Sequence, residues 1–346
     1  MLDIWKKLYN LAIEFTEMRP WEWMYDNDIF GVMDPDTKEI GYCSIMGNHK
    51  EFYGMAVYAG DEGFTFLNDI LNKEIPDEAS LGINRQKCLM MEFGKRDFVT
   101  PEEMEIIKKI DLKFENRNFW PIFKDFTPGL YPWQLSEKDL PFMITVVEQA
   151  LKVAIEFKDK KEVFLKHAPY KILTIVPTKK NKKLEWNYEY IRPKKYIKQE
   201  KFSVINEKDE GFARNLQQRY QKNKMVEWQI DYFYSPNFIR DDDNSRPYFP
   251  YIFMVVDGLS GLVLGTNLTK QGIPKDSMFR HSLLEFIKKA QYIPDKFVVK
   301  RIESVKILEA VAEILDVKIV LRDEMYFLDE AKEDFIDCFK TLKRSV

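Results

Sequence analysis

The sequence predicts an α+β protein of two domains, of which the second is a mixed sheet with flanking helices. Three observations predict this fold class: a length of 346 residues, apolar residues at helical and strand spacings in turn, and a lysine-rich junction at residues 158–161. The junction places the predicted domains at residues 1–159 and 160–346. In the second domain, a basic hairpin region at 160–229 precedes the mixed sheet at 250–346.

The first domain begins with an amphipathic helix, since apolar residues recur at helical spacing over residues 2–18 until Pro20 ends the pattern. Short apolar segments bounded by turn residues then predict strands. These strands lie at residues 29–33, 39–44, 52–58 and 88–93, with a helix at 63–71 between the last two.

Capping residues predict two further helices in the first domain. Thr100 suits an N-cap, because proline and glutamate follow it at the first and third helical positions. The spacing of Ser136 and Asp139 predicts a second N-terminus, followed by a long helix with an apolar face over residues 140–154. The first domain therefore ends near Asp159.

The second domain contains strands in alternation with helices. The first strands are predicted at residues 172–176, 184–191 and 226–234. Beyond residue 250 the order is a strand hairpin, then helix, strand, helix, strand and helix. These elements lie at residues 251–257, 262–268, 277–291, 296–300, 304–315, 317–321 and 328–342. This alternation predicts a mixed sheet whose later strands are parallel and joined by right-handed crossovers.

The net charge of −3 conceals a separation of charge along the chain. Residues 1–110 have 12 Lys and Arg against 21 Asp and Glu, whereas residues 160–229 have 18 against eight. The basic part either meets an anionic partner or is attracted to the acidic first domain. Both interpretations remain open at the level of sequence.

The element order after residue 250 resembles the ribonuclease-H-like fold, in which a meander of antiparallel strands precedes two strand–helix units. The resemblance implies a first catalytic carboxylate at the end of the first strand, and Asp257 matches it. Further carboxylates are implied at the end of the fourth strand and on the final helix, where Glu303 and Asp329 are available. The alternative function is therefore a metal-dependent nuclease that holds Mg²⁺ among these three side chains.

Two observations count against that metal site. Lys300 and Arg301 stand at the end of the fourth strand, where a Mg²⁺ ligand belongs. Gly258 follows Asp257 directly, so a carboxylate that caps a hairpin turn also accounts for Asp257.

Basic residues beside aromatic ones predict a second candidate site, in the hairpin region. Cations next to exposed aromatic rings bind single-stranded nucleic acid through phosphate contacts and base stacking. A lysine-rich hairpin tip is also a common solvated edge, and alternating aromatics are typical of a half-buried strand. The nucleic-acid-binding candidates are Lys179, Lys180, Lys182, Lys183 and Trp186.

Tryptophan and tyrosine are dense in the first domain, and they predict either a packed core or a groove for a peptide or small ligand. Trp21 and Trp23 lie two residues apart, and Trp133 follows a Pro-Gly turn. Tryptophan is the residue that most often anchors an interface. These three residues are therefore the ligand-groove candidates.

Motifs for other chemistries are missing from the sequence. The three histidines and three cysteines have no zinc-ligand spacing, and no glycine pattern typical of nucleotide binding occurs. The sequence thus predicts no cofactor, with Mg²⁺ required only by the nuclease alternative. Scattered cysteines fit a reducing compartment, so we expect a cytoplasmic location. No apolar run approaches the roughly 18 residues of a membrane span.

Several phrases in the first domain resemble an uncharacterised bacterial family. Three of the phrases are Arg19-Pro-Trp-Glu-Trp-Met-Tyr-Asp26, Glu39-Ile-Gly-Tyr-Cys-Ser-Ile-Met-Gly-Asn48 and Tyr53-Gly-Met-Ala-Val-Tyr-Ala-Gly60. Two more begin with Phe30-Gly-Val and with Trp120-Pro. Members of that family join two domains of unknown function. The resemblance implies no activity or catalytic residues.

The sequence therefore predicts a cytoplasmic binding or interaction protein with no evident catalytic constellation. The partner stays open, with a protein or peptide as one candidate. Nucleic-acid binding and a ribonuclease-H-like nuclease are the alternatives. No membrane partner is predicted.

Overall fold

The computed structural model describes residues 2–72, 84–114, 119–165, 171–180, 183–196, 201–242, 245–270 and 272–342. The fold is α+β, as the sequence predicted, and the chain divides into two compact units, Met1–Ile197 and Lys198–Val346. No helix among the described residues is long and apolar enough to cross a membrane.

The first unit contains a mostly antiparallel sheet with helices on both faces. Its strands are β1 (Phe30–Met33), β2 (Ile40–Met46), β3 (Tyr53–Ala59), β4 (Cys88–Gly94), β5 (Trp120–Phe126), β6 (Trp133–Gln134), β7 (Ile172–Lys180) and β8 (Lys183–Ile191). Its helices are α1 (Leu2–Met18), α2 (Gly60–Leu71), α3 (Pro101–Lys109), α4 (Leu140–Glu156) and α5 (Glu162–Leu165).

The described strands of this unit form one eight-stranded sheet in the order β6-β5-β4-β3-β2-β1-β7-β8. All neighbours are antiparallel except β1 and β7, which are parallel. Helices α1, α3 and α4 bury their apolar faces against one side of the sheet, and α2 covers part of the other side. The larger core therefore lies under α1 and α4.

The boundary between the units differs from the predicted boundary between residues 159 and 160. Strand β7 pairs in parallel with β1, and β8 pairs with β7, so the basic hairpin extends the first sheet. The lysine-rich stretch at residues 158–161 is a surface turn between α4 and α5 within the first unit. The charged, turn-forming composition of residues 158–161 therefore reflects a solvated loop within the first unit and not a junction between domains.

The second unit contains a mixed sheet between two helical layers. Its strands are β9 (Lys222–Tyr234), β10 (Tyr251–Asp257), β11 (Val263–Leu268), β12 (Ile293–Val299) and β13 (Lys318–Leu321). Its helices are α6 (Glu207–Arg219), α7 (Lys275–Ala290), α8 (Ile302–Leu315) and α9 (Tyr326–Leu342). Helices α6, α7 and α8 cover one face of the sheet, and α9 covers the other.

The described strands of the second unit have the order β11-β10-β9-β12-β13, with three antiparallel strands followed by two parallel ones. This is the strand order of a ribonuclease-H-like fold, and the predicted fold class is confirmed. The first strand of the meander is β9, however, and not the strand at residues 251–257. The sequence pattern did not reveal β9 as the first strand, because a connection of 16 residues separates it from β10.

A buried ionic cluster joins residues 201–206 to α7. The carboxylate of Asp276 accepts hydrogen bonds from the backbone N–H and hydroxyl of Ser203, at 2.5 and 2.7 Å. Arg280, one turn further along α7, lies 3.4 Å from the same carboxylate and donates to the hydroxyl of Ser203. The side chains of Arg280 and Asp276 are only 2% and 6% exposed. The pair is therefore shielded from water.

Candidate functional site

An open cleft of about 1130 Å³ lies in the first unit. The C-terminal half of α1, the chain around residues 47–53, and the residues Lys113, Phe114 and Phe119 form its walls. The lining residues are Ile13, Thr16, Glu17, Arg19, Trp21, Glu22, Gly47, Asn48, Lys50, Tyr53, Lys113, Phe114 and Phe119. Of the three ligand-groove candidates, the structure places Trp21 in this cleft.

Aromatic rings form the apolar part of the cleft. The ring centroids of Trp21 and Tyr53 lie 5.3 Å apart, and those of Tyr53 and Phe119 lie 5.1 Å apart. The rings of Trp21 and Phe119 stack at 6.3 Å. Such edge and stacked contacts stabilise aromatic pairs beyond the area that they bury. The three rings therefore hold one another in place on three separate segments of the chain.

Gly47 permits this arrangement because it has no side chain. Its φ angle is +141°, and a Cβ atom there would lie 2.8 Å from the Cγ atom of Trp21 and 2.8 Å from the Cδ1 atom of Tyr53. The next residue, Asn48, donates a hydrogen bond from Nδ2 to the backbone oxygen of Trp21 at 3.3 Å. The Gly47-Asn48 turn thus fixes Trp21 from two directions.

We expect the Gly47→Ala variant to unfold with a free energy lower by about 1–3 kcal/mol, because the added methyl group is strained and overlaps two rings. Urea denaturation followed by tryptophan fluorescence measures the change. Gly211→Ala is the matched control: nothing lies within 4 Å of its added Cβ, so this helical position should gain about 0.5–1 kcal/mol. Equal stability of the Gly47→Ala variant and the parent protein would contradict the packing argument.

Charged side chains of both signs surround the aromatic rings. Arg19 lies 3.4 Å from Glu22 in an exposed ion pair. Lys50 and Lys113 are exposed, and neither ammonium group has an ionic partner among the described residues. Glu17 adds one exposed carboxylate. The rim therefore has one more positive than negative charge, with two lysines free to bind a ligand.

The other two ligand-groove candidates lie elsewhere in the first unit. The indole N–H of Trp23 donates to the backbone oxygen of Ala154 at 3.0 Å, and the Lys158 ammonium lies 4.4 Å from its ring centroid. Trp133 lies on β6, opposite Asp125 of β5. Trp23 therefore anchors the C-terminal end of α4, and Trp133 belongs to the sheet edge.

The basic hairpin presents its lysines to solvent but not its tryptophan. Lys179, Lys180 and Lys183 are exposed at the tip of β7 and β8, and Lys182 lies outside the described residues. Trp186 is half-buried and packs against the core of the first unit. A stacking platform for bases needs an exposed ring beside the cations. Trp186 does not provide one.

Asp257, the first nuclease candidate, caps the turn between β10 and β11. Its Oδ1 atom accepts hydrogen bonds from the backbone N–H groups of Leu259 and Ser260, at 3.0 and 2.8 Å, and from the Ser260 hydroxyl at 2.9 Å. Hydrogen bonds of this kind are typical of aspartate at turns. Glu303 lies in the first turn of α8, and Asp329 lies in the first turn of α9.

With β9 as the first strand, the carboxylate near that strand's end is Asp231 and not Asp257. Asp231 is 2% exposed, and its Oδ1 atom lies 2.7 Å from the Arg301 guanidinium. The Lys300 ammonium lies 2.5 Å from Asp329. Burial alone would lower the pKa of Arg301, but the charge of Asp231, its hydrogen bond to Arg301 and the nearby Tyr232 and Tyr251 together outweigh burial and raise this pKa. Each carboxylate therefore has a fixed cation.

These residues do not fit a divalent metal ion. Mg²⁺ sites are built from oxygen ligands, whereas here two cations occupy the space beside the carboxylates. Across the residues that the structure describes, no three His, Cys, Asp or Glu side chains come close enough together to hold a metal ion. Asp257, Glu303 and Asp329 thus do not form a shared ligand group in the described part of the chain.

Both units match families whose function is not known. Residues 5–174 match a domain of unknown function, DUF7309. Residues 213–336 match a second, DUF6930. The cleft lies within the first match, and the Asp231–Arg301 and Lys300–Asp329 pairs lie within the second. No curated protein matches the chain.

Two solved structures of a transposase show a distant likeness. One is a crystal structure of a pre-cleavage Mos1 transpososome, with 8% identity and a TM-score of 0.18 over 65% of this chain and 68% of that chain. The other is Mos1 transposase in a paired-end complex with the left transposon end, with 9% identity and a TM-score of 0.19 over 78% and 79%. Likeness at this level carries no conclusion about activity.

Most of the cleft residues were not predicted from the sequence. Lys50, Lys113 and Phe119 carried no motif, and the rings meet only after the sheet and α1 are assembled. Two signals were present in the sequence. Tyr53 begins one of the phrases that resemble the bacterial family, and Gly47-Asn48 ends another.

Proposed function

We propose that the protein is a binding protein whose first unit holds a peptide in the cleft at Trp21. The observation that carries the proposal is the aromatic set of Trp21, Tyr53 and Phe119 beside two lysines without ionic partners among the described residues. Aromatic anchors in a concave surface with a polar rim are typical of recognition sites.

The size of the cleft favours a peptide over a small molecule. Pockets for small ligands usually measure about 300–1,000 Å³, and this cleft is larger, at about 1130 Å³, and open. An extended peptide fills an open cleft by placing alternate side chains in it. A protein or peptide partner, one of the candidates that the sequence left open, is therefore part of the proposal.

The charges on the rim define the peptide further. Lys50 and Lys113 can each form a charge-assisted hydrogen bond with a carboxylate of the ligand. The partly exposed rings of Tyr53 and Phe119, which pack on the buried ring of Trp21, take an aromatic or large apolar side chain. We therefore expect an acidic segment that contains an aromatic residue.

A cytoplasmic location also belongs to the proposal. All three cysteines are free thiols, and Cys43 and Cys88 are buried. Burial raises the pKa of both thiols, which keeps them protonated and unreactive. Free thiols without disulfides are typical of reducing compartments.

Fluorescence anisotropy with two labelled decapeptide libraries tests the proposal. One library has Trp-X-Asp-Glu at fixed positions, and the other has lysine at the two acidic positions. The acidic library should bind more tightly by roughly tenfold or more, and the Lys50→Glu/Lys113→Glu variant should lose that preference.

Lys6→Glu/Lys152→Glu is the matched control, because both lysines are exposed on helices and the change in charge is equal. This control should bind the acidic library as the parent protein does. If neither library binds, or if both double variants weaken binding equally, the cleft is not the peptide site.

A further inference from the structure

Lys300, Arg301 and Lys332 form a cationic cluster at one end of the second sheet. The Asp231–Arg301 and Lys300–Asp329 ion pairs account for two of these three cations. Lys332 lies on α9 three residues after Asp329, and its ammonium group lies 4.9 Å from the ring centroid of Phe233, which follows Asp231 by two residues on β9. Among the residues that the structure describes, the three cations and two carboxylates of these pairs and Lys332 therefore lie at this end of the sheet. One positive charge is left over.

The surplus cation is Lys332. Both carboxylates already have a cation, at 2.7 Å for Asp231 and 2.5 Å for Asp329. Within the described ranges, the Lys332 ammonium has no hydrogen-bond acceptor, and its contact is with the ring of Phe233, 4.9 Å from the centroid. A half-buried charge without an acceptor is unfavourable, because it has lost water and the ring of Phe233 replaces only part of that hydration.

The position of the cluster in the fold is one where ligands bind. Asp231 lies near the carboxyl end of β9, and Lys300 and Arg301 follow the carboxyl end of the parallel strand β12. Crevices outside the carboxyl ends of parallel strands are the usual ligand sites of sheets flanked by helices. Water reaches this end of the sheet, since the side chains of Arg301, Lys300 and Asp329 are 36%, 26% and 39% exposed.

We propose that this cluster binds a phosphate group, with Lys332 as its principal donor and Lys300 and Arg301 as flanking donors. The site is independent of the cleft in the first unit. Lys332 supplies the unmatched charge, and the guanidinium of Arg301 has N–H groups beyond the one that contacts Asp231. A bound anion would balance the surplus charge and stabilise α9 against the sheet. A divalent cation would oppose three positive charges at the same place.

Phosphate binding is measured by isothermal titration calorimetry at constant ionic strength, with inorganic phosphate against sodium chloride. We expect a dissociation constant of about 1 mM or below. Lys332→Met keeps the apolar stem over Phe233 and removes the charge, so its affinity should fall at least tenfold. Lys332→Arg should retain binding.

Lys306→Met, an exposed position on α8, is the matched control and should bind as the parent protein does. Far-UV circular dichroism checks that each variant is folded. Glycerol 3-phosphate distinguishes the source of the group: tighter binding than inorganic phosphate indicates a phosphate ester, and weaker binding indicates the free ion.

Three outcomes overturn the proposal. The first is no heat of phosphate binding at 10 mM, and the second is equal affinity in folded Lys332→Met and parent protein. The third is Mn²⁺ binding that Asp231→Asn abolishes, since this would make the cluster a cation site.

Discussion

The Asp276→Asn variant is expected to lower the free energy of unfolding of the second unit by about 3–5 kcal/mol. The substitution leaves the Arg280 guanidinium, which is 2% exposed, without its carboxylate. It also weakens two hydrogen bonds from Ser203, which hold residues 201–206 against α7. A buried charge without a partner is among the most destabilising changes a point mutation makes.

Hydrogen exchange followed by mass spectrometry measures this change separately in the second unit, through peptides from α7 and α8. The double variant Asp276→Asn/Arg280→Met is the control, because it removes both charges and should recover part of the loss. A loss below about 1 kcal/mol in the single variant would show that water reaches Arg280 and that the pair is not a buried one.

The same carboxylate makes the second unit sensitive to acid. Burial alone would raise the pKa of Asp276, but the hydrogen bonds from Ser203 and the charge of Arg280 outweigh it and lower this pKa. A carboxyl with a lowered folded pKa contributes stability that is complete above its unfolded value, about 3.9, and is lost as pH falls through the folded pKa. The Asp276→Asn variant should therefore lose less stability than the parent protein below about pH 4.

The Phe15→Ala variant is expected to lower the free energy of unfolding of the first unit by about 3–5 kcal/mol. Phe15 is fully buried on α1, and its ring lies 5.9 Å from Trp21 and 6.1 Å from Phe93. Its removal leaves a cavity behind the wall of the cleft. Because Trp21 would lose its support, the affinity for the acidic peptide library should fall together with stability.

Urea denaturation followed by tryptophan fluorescence measures the loss of stability, and the anisotropy assay measures the loss of affinity. Phe15→Leu is the matched control, since it keeps most of the buried volume and should cost less than about 1.5 kcal/mol. If Phe15→Ala unfolds more easily but binds the peptide as before, Trp21 does not depend on Phe15 for its position.

Local patterns were sufficient to predict most elements of the fold. Helix α1 has the predicted bounds, and Thr100 forms the predicted capping box with Glu103. The N-terminus of α4 lies later than Ser136, because Asp139 precedes Leu140 at the N-cap and the Ser136 hydroxyl donates to the Asp139 carboxylate. Strand β5 was not predicted, although its Trp120-Pro-Ile-Phe segment is apolar.

Long-range pairing was not predictable from the same patterns. The parallel contact of β1 with β7 depends on residues far apart in the sequence, and no local signal marks it. The cleft was not predictable for the same reason, since Trp21, Tyr53 and Phe119 become neighbours only through the sheet and α1. The sequence alone, in contrast, already counted against a metal site at Lys300 and Arg301, because the positive charge of these residues does not depend on the fold.

The parallel contact between β1 and β7 also sets the order in which the first unit can be completed during synthesis. Val32 pairs with Ile175, which is 143 residues later in the chain. At about 5–20 residues per second, the ribosome needs roughly 7–30 s to produce the partner of β1. During that time the edge of β1 has unpaired N–H and C=O groups, which can pair with other chains. A nascent chain that stalls before Ile172 would therefore be the species most prone to aggregate.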